Sequence, residues 1–156
     1  MTKPAIDAPG VIAFPPLIFL VSALIGGGSH CLFPMPLPPV LPWRLVGGLF
    51  ALAAASLALA ARNQMITAGT NIRPDKPATA IVTGGPYRFT RNPMYLALCL
   101  LHLGIGFMLR DFVPVGLTLV LAAVFQAGVI VREERYLEAK FGEVYTSYRR
   151  RVRRWL

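Results

Sequence analysis

Four long apolar segments restrict what this chain can fold into. They run from about residue 11 to 25, from 45 to 61, from 95 to 109 and from 112 to 131. A helix that crosses a membrane needs about 20 mostly apolar residues, and lipid admits only helices and closed barrels, because every backbone polar group needs an internal partner there. Since 55% of the 156 residues are hydrophobic, we predict an all-α integral membrane protein with about four transmembrane helices.

The segment after the fourth apolar run has a different pattern. Leu137, Phe141, Val144 and Tyr148 recur at helical spacing and are opposed by charged residues. This pattern is typical of an amphipathic helix that lies at the membrane surface. We therefore predict a C-terminal interfacial helix with a break near Gly142.

The distribution of positive charge predicts how the chain is oriented. The formal net charge is +9, five basic residues lie between positions 62 and 91, and five more lie in the tail "YRRRVRRWL". Because Lys and Arg accumulate on the cytoplasmic side of a membrane, we expect both basic regions in the cytoplasm. Four crossings then place both termini in the cytoplasm.

Small and polar residues inside the apolar segments predict packing. Gly47, Ala51 and Ala55 follow one another at four-residue intervals, a spacing that lets two membrane helices approach closely. His102 and Gln126 are costly to expose to lipid, so each should point toward another helix or a cavity. A helix-to-helix hydrogen bond and a contact with a ligand are equally compatible with either residue.

Cysteine and histidine usage argues against a metal or redox site. Cys31 and Cys99 are far apart and form no C-x-x-C motif, so we interpret both as structural. The chain has two histidines, without companion ligands nearby in the sequence. We therefore expect no metal.

The stretch "GGPYRFTRNPMY" directly precedes the third apolar segment. Its Gly-Gly-Pro sequence predicts a turn, and Pro93 suits the first turn of a helix, where its missing N–H is harmless. The bend should deliver Arg88 and Arg91 to one place at the membrane surface. Taken alone, two such arginines are most simply explained as binding lipid phosphates and fixing topology.

A pair of glutamates follows the fourth apolar segment. Glu133 and Glu134 are flanked by Arg132 and Arg135, which alone would indicate a solvated helix end with weak ion pairs. Adjacent residues on a helix point about 100° apart. One glutamate can therefore face a pocket while the other faces water or an arginine.

Taken together, two motifs resemble a known superfamily. The run G-P-Y-R-x-x-R-N-P-M-Y is followed about forty residues later by E-E-R-Y-L-x-x-x-F-G-x-x-Y-x-x-Y. This combination resembles the isoprenylcysteine carboxyl methyltransferase and phospholipid N-methyltransferase superfamily, integral membrane enzymes that use S-adenosylmethionine. The resemblance extends from about Gly69 to the end of the sequence. Asn92 departs from it, because the family often has a histidine there, and asparagine cannot carry a proton.

The resemblance implies one domain over residues 1–156, with an N-terminal helix pair in 1–63 and a cofactor-binding, catalytic half in 64–156. It implies that S-adenosylmethionine binds at the cytoplasmic ends of the third and fourth helices, and that the protein lies in a bacterial inner membrane. Arg91 suits the cofactor's carboxylate and a glutamate its ammonium or ribose. The candidate catalytic residues are Arg91 and Glu133, and the candidate cofactor-binding residues are Tyr87, Arg88, Asn92, Pro93, Tyr95, His102, Gln126 and Glu134.

The function implied is methyl transfer to a hydrophobic acceptor dissolved in the membrane. A carboxylate acceptor, as in the isoprenylcysteine enzymes, is already a nucleophile at neutral pH, whereas a phospholipid amine must first lose a proton. Membrane lipids are expected partners and nucleic acid is not, while oligomeric state stays open. The alternatives outside enzymes are a small four-helix transporter, disfavoured because no acidic residue lies within a span, and a membrane scaffold.

Overall fold

The computed structural model describes residues 8–73 and 76–156. Asp75, the one acidic residue in the basic connection, lies outside this part of the chain, as do residues 1–7. The described residues form helices, with no named strand, and the longest connection lies between the second and third α-helices. The α-helices are α1 Pro15–Leu32, α2 Trp43–Thr67, α3 Pro93–Leu109, α4 Phe112–Phe125, α5 Val131–Phe141 and α6 Glu143–Arg151.

Four apolar helical stretches account for the membrane domain. α1 and α2 have 18 and 25 residues, and both are apolar and long enough to cross a membrane. The 30-residue stretch Phe112–Phe141 also qualifies, whereas α3 is shorter, at 17 residues. The prediction of an all-α integral membrane protein with about four apolar helices is confirmed.

The last apolar helix is longer than predicted. α4 continues through a π-helical turn, Gln126–Ile130, into α5 without a break. The charged residues that follow position 131 therefore extend this helix and do not begin a separate one. The break comes at Gly142, as predicted, because its φ of +53° suits glycine. Only α6 remains as a distinct helix after it.

Glycines allow α2 and α3 to cross closely. A Cβ atom on Gly47 would lie 2.5 Å from the carbonyl oxygen of Gly104, and one on Gly104 would lie 2.8 Å from the carbonyl oxygen of Gly47. The packing role predicted for Gly47 is confirmed. Ala54 and Ala61 continue the buried face, whereas Ala55 is exposed.

The turn between α3 and α4 is held by a buried carboxylate. Asp111 accepts hydrogen bonds from the backbone N–H groups of Met35 and Val113, at 3.1 and 2.9 Å, and lies 2.9 Å from Nδ1 of His30. Burial favours the neutral form of Asp111, but the hydrogen bonds from His30, Val113 and Met35 outweigh it and hold the pKa of Asp111 below its ordinary value.

Candidate active site

A cavity of about 380 Å³ lies where α2, α3, α5 and α6 come together. One part of its wall is apolar and belongs to the membrane helices, including Ala54 and Ala58 of α2 and Leu101 of α3. The other part carries the ionisable side chains, including Arg91 and Glu133. A volume of this size suits one small organic molecule.

The sharp turn before α3 places Arg91 at the cavity. Gly85 has a φ of +54°, and a Cβ on it would lie 2.8 Å from the side chain of Gln64. A 3₁₀ turn over Gly85–Arg88 follows, and α3 begins at Pro93 as predicted. Glycine is therefore required here for both backbone conformation and space.

Arg91 lines the cavity and has two donor nitrogens without a hydrogen-bond partner among the described residues. Its side chain is only 9% exposed and lines the cavity wall. Its Nη1 lies 3.1 Å from Oε1 of Glu134, yet within the described residues neither Nε nor Nη1 has a hydrogen-bond partner. Buried donors on a charged group are costly to leave unpaired. These two donors, which lie on different edges of the guanidinium, are therefore free to bind anionic groups of a ligand.

The two adjacent glutamates diverge, as the helical geometry predicts. Glu134 binds arginines, whereas Glu133 accepts a 2.6 Å hydrogen bond from the hydroxyl of Tyr95. No basic side chain of residues 8–73 or 76–156 forms an ion pair with Glu133. Since Glu133 also lines the cavity, it supplies a negative charge that a cationic ligand could neutralise.

The π-helical turn sets the register of these glutamates. π turns insert one extra residue into a helix and occur frequently at functional sites. Gln126, at the start of the turn, accepts a 3.0 Å hydrogen bond from the indole N–H of Trp155. A regular α-helix would place Gln126 and Glu133, seven positions apart, on one face, but Gln126 lies outside the cavity lining and Glu133 lies in it.

Seven of the ten candidate residues line this one cavity: Tyr87, Arg91, Asn92, Pro93, Tyr95, Glu133 and Glu134. The other three do not. Arg88 is exposed, Gln126 binds Trp155, and His102 lies deeper in the bundle. The ring nitrogens of His102 lie 2.9 Å from the hydroxyl of Ser22 and 3.0 Å from that of Thr118. His102 therefore links α1, α3 and α4.

The structure adds residues that the sequence reasoning missed. Tyr145 and Tyr148 of α6 are buried and line the cavity. Burial raises the pKa of Tyr145 to about 12, the charge of Glu134 adds to the rise, and Arg91 opposes it. Both tyrosines belong to the Y-x-x-Y motif, so the sequence offered a signal that could have identified them. Arg154 also reaches Glu134, but nothing distinguishes it from its basic neighbours in sequence.

Comparison with known proteins identifies the family. The sequence pattern of the phospholipid methyltransferase family matches residues 43–144. The chain belongs to this family. Its helices α2 to α5 all lie within the match, so most of the cavity wall does too. The superfamily assignment made from the two motifs is confirmed.

Two curated proteins are similar over shorter stretches. The protein-S-isoprenylcysteine O-methyltransferase of Schizosaccharomyces pombe is 35% identical over 72 residues, which are 46% of this chain and 30% of that enzyme. An uncharacterized protein of Haemophilus influenzae is 40% identical over 63 residues, which are 40% of this chain and 100% of that protein. The match therefore spans less than a third of the isoprenylcysteine enzyme's length.

Proposed function

We propose that the chain transfers a methyl group from S-adenosylmethionine to a hydrophobic acceptor dissolved in the membrane. The observation that carries this proposal is the meeting of two Arg91 donors, unpaired among the described residues, and the Glu133 carboxylate in one cavity, part of whose wall is apolar. When bound, S-adenosylmethionine supplies an electrophilic methyl group. The chain's residues then have to bind it, orient it and exclude water.

The polar groups of the cavity match the charges of this cofactor. A guanidinium suits a carboxylate, and Arg91 has two donors, Nε and Nη1, without a partner among the described residues. Glu133 suits an ammonium group or ribose hydroxyls. Tyr87, Tyr145 and Tyr148 line the same cavity, and aromatic rings suit a sulfonium cation or an adenine ring.

The apolar wall suits a lipid-like acceptor. Ala51, Ala54, Ala55 and Ala58 of α2 line the cavity opposite Leu101 of α3. Small side chains at this wall leave room for an apolar chain within the membrane-spanning part of the bundle. Burial of the reacting pair between helices excludes bulk water and holds the acceptor near the cofactor.

The nature of the reacting group leaves two candidate functions. A carboxylate acceptor requires no deprotonation, which favours an isoprenylcysteine carboxyl methyltransferase-like reaction. Phospholipid N-methylation is favoured by Glu133, because a carboxylate that forms no ion pair within residues 8–73 and 76–156 can take a proton from an ammonium group. Tyr95 holds that carboxylate in place through its 2.6 Å hydrogen bond.

Transfer of labelled methyl groups tests the proposal. Purified protein is incubated with methyl-labelled S-adenosylmethionine and a membrane lipid extract, and labelled lipid is then treated with alkali. A methyl ester releases its label as methanol, whereas an N-methyl group keeps it. We expect transfer by the wild type and by Arg62→Ala, an exposed arginine of α2, and loss of transfer in Arg91→Ala. No transfer by the wild type, or equal transfer by Arg91→Ala, would contradict the proposal.

We also propose an orientation on the basis of charge. Residues 62–91 and the tail 149–154 carry ten of the 16 basic residues, which favours a cytoplasmic position for both. The ionisable part of the cavity would then open to the side where S-adenosylmethionine is available. Within this proposal the membrane is the inner membrane of a bacterium.

A further inference from the structure

The segment that follows α6 runs beside the turn that carries Arg91. The backbone N–H of Arg91 donates to the carbonyl of Arg153 at 3.0 Å. The side chains of Thr90 and Asn92 both donate to the carbonyl of Arg154, at 3.1 and 2.9 Å. These bonds fix the backbone of Arg154 next to the cavity.

Arg154 binds both carboxylate oxygens of Glu134 through one edge of its guanidinium. Its Nε donates to Oε1 at 3.0 Å and its Nη2 donates to Oε2 at 2.6 Å. This bidentate pairing is the strongest geometry available to arginine and a carboxylate. The hydrogen bonds to Glu134 raise the pKa of Arg154 above its ordinary value.

Arg91 approaches the same carboxylate less favourably. Its Nη1 lies 3.1 Å from Oε1 of Glu134, but within the described residues this atom has no hydrogen-bond partner of acceptable geometry. Two guanidinium groups therefore compete for Glu134, and Arg154 holds it. The charge of Glu134 still favours a nearby position for Arg91, while Nε and Nη1 of Arg91 form no hydrogen bond with the described residues.

We infer that Arg154 is a positioning residue that keeps Nε and Nη1 of Arg91 available for the carboxylate of the methyl donor. Without Arg154, Glu134 would be free to form a bidentate pair with Arg91 and so block the ligand. This inference rests on the proposed function, because it takes the ligand's anionic group to be the carboxylate of S-adenosylmethionine. It assigns Arg154 no contact with the reacting atoms.

A pair of substitutions distinguishes this role from a structural one. Arg154→Met should weaken the binding of S-adenosylmethionine at least about tenfold, because Glu134 then competes with the ligand for Arg91. Adding Glu134→Gln should restore at least about a third of the lost affinity, since a neutral amide competes poorly for a guanidinium. If the ion pair only stabilised the fold, the second substitution would not restore affinity.

An exposed ion pair in the same helical region provides the control. Arg149 and Glu138 pair at 2.7 Å, with side chains 45% and 44% exposed, and neither lines the cavity. Arg149→Met should leave the affinity unchanged. Arg154→Lys should lose affinity by a smaller factor than Arg154→Met, because an ammonium group cannot bind both carboxylate oxygens in the same fork.

The affinity is measured by calorimetric titration of S-adenosylmethionine into each purified variant in detergent, after a thermal unfolding scan confirms folding. Wild-type affinity in Arg154→Met, or a double variant that binds no better than Arg154→Met, would overturn the inference. If Arg154→Met does not fold, Arg154→Lys with and without Glu134→Gln gives the same two comparisons. Absence of binding by the wild type would instead remove the proposed function, and this inference with it.

Discussion

The crossing of α2 and α3 can be tested by adding one methyl group. In Gly47→Ala the new Cβ would lie 2.5 Å from the carbonyl oxygen of Gly104 and 2.8 Å from the backbone nitrogen of Met108. Ordinary contact begins at 3.4 Å, so the two helices must separate locally by about 0.9 Å at the closest point. Rotation of the Met108 side chain can move its Cγ, which would lie 2.6 Å from the new atom, but it cannot relieve the two backbone contacts.

Gly48→Ala provides a matched control. Gly48 is adjacent on the same helix, and a Cβ there would meet nothing within 4 Å. Both substitutions gain the same helix propensity, about 1 kcal/mol, so the difference between the two variants reports overpacking alone, which costs about 1–3 kcal/mol. Equilibrium unfolding in mixed detergent micelles measures that difference. Equal free energies of unfolding for the two variants would refute the close crossing of α2 and α3.

Three further predictions concern single side chains. Because the folded-state pKa of Asp111 is lowered, its contribution to stability is present above about pH 4 and is lost as the pH falls through the folded pKa. Asp111→Asn should therefore be less stable than the wild type by about 1–3 kcal/mol at neutral pH. In thermal unfolding scans this variant should not show the loss of stability at acid pH. Tyr95→Phe should slow methyl transfer about tenfold to a hundredfold, because it removes a hydrogen bond to the charged Glu133, and an unchanged rate would show that Glu133 does not need that bond. Ser22→Ala should cost about 1–3 kcal/mol of stability by leaving one nitrogen of His102 unpartnered and should leave the affinity for S-adenosylmethionine unchanged; a loss of affinity in titrations would support His102 as a cofactor ligand.

Local rules accounted for most of the fold. The apolar runs predicted the spanning helices because lipid leaves the backbone no other arrangement, and Pro93 and Gly142 marked a helix start and a helix break through their own backbone preferences. The same local signals placed Arg91 near the mouth of α3. The family resemblance then implied that Arg91 and Glu133 belong to one site.

Features that depend on contacts across the fold were not predictable. The π-helical turn at Gln126–Ile130 has no sequence signal, and α5 continues α4 through residues whose charge suggested a helix end. His102 finds Ser22 and Thr118 on other helices, 80 and 16 positions away. Only the folded chain shows that both ring nitrogens of His102 meet side chains of other helices.

Selection among similar charges also required the structure. Arg154 belongs to a run of basic residues that all suit a membrane surface, and its sequence neighbours share its chemistry. The hydrogen bonds that Thr90 and Asn92 donate to its carbonyl set it apart. The hydrogen bond from Asn92 explains how asparagine serves at the position where the family often has histidine. The asparagine side chain donates to a backbone carbonyl, and this role needs no proton transfer.

Calorimetric titration of S-adenosylmethionine into the wild type and Arg91→Ala, both folded in detergent, tests the central claim most directly. The unpaired donors of Arg91 predict binding of one cofactor per chain by the wild type and an affinity at least about tenfold weaker in the variant. Equal affinity in the two proteins, or no binding by the wild type, would contradict the claim that this cavity holds the methyl donor.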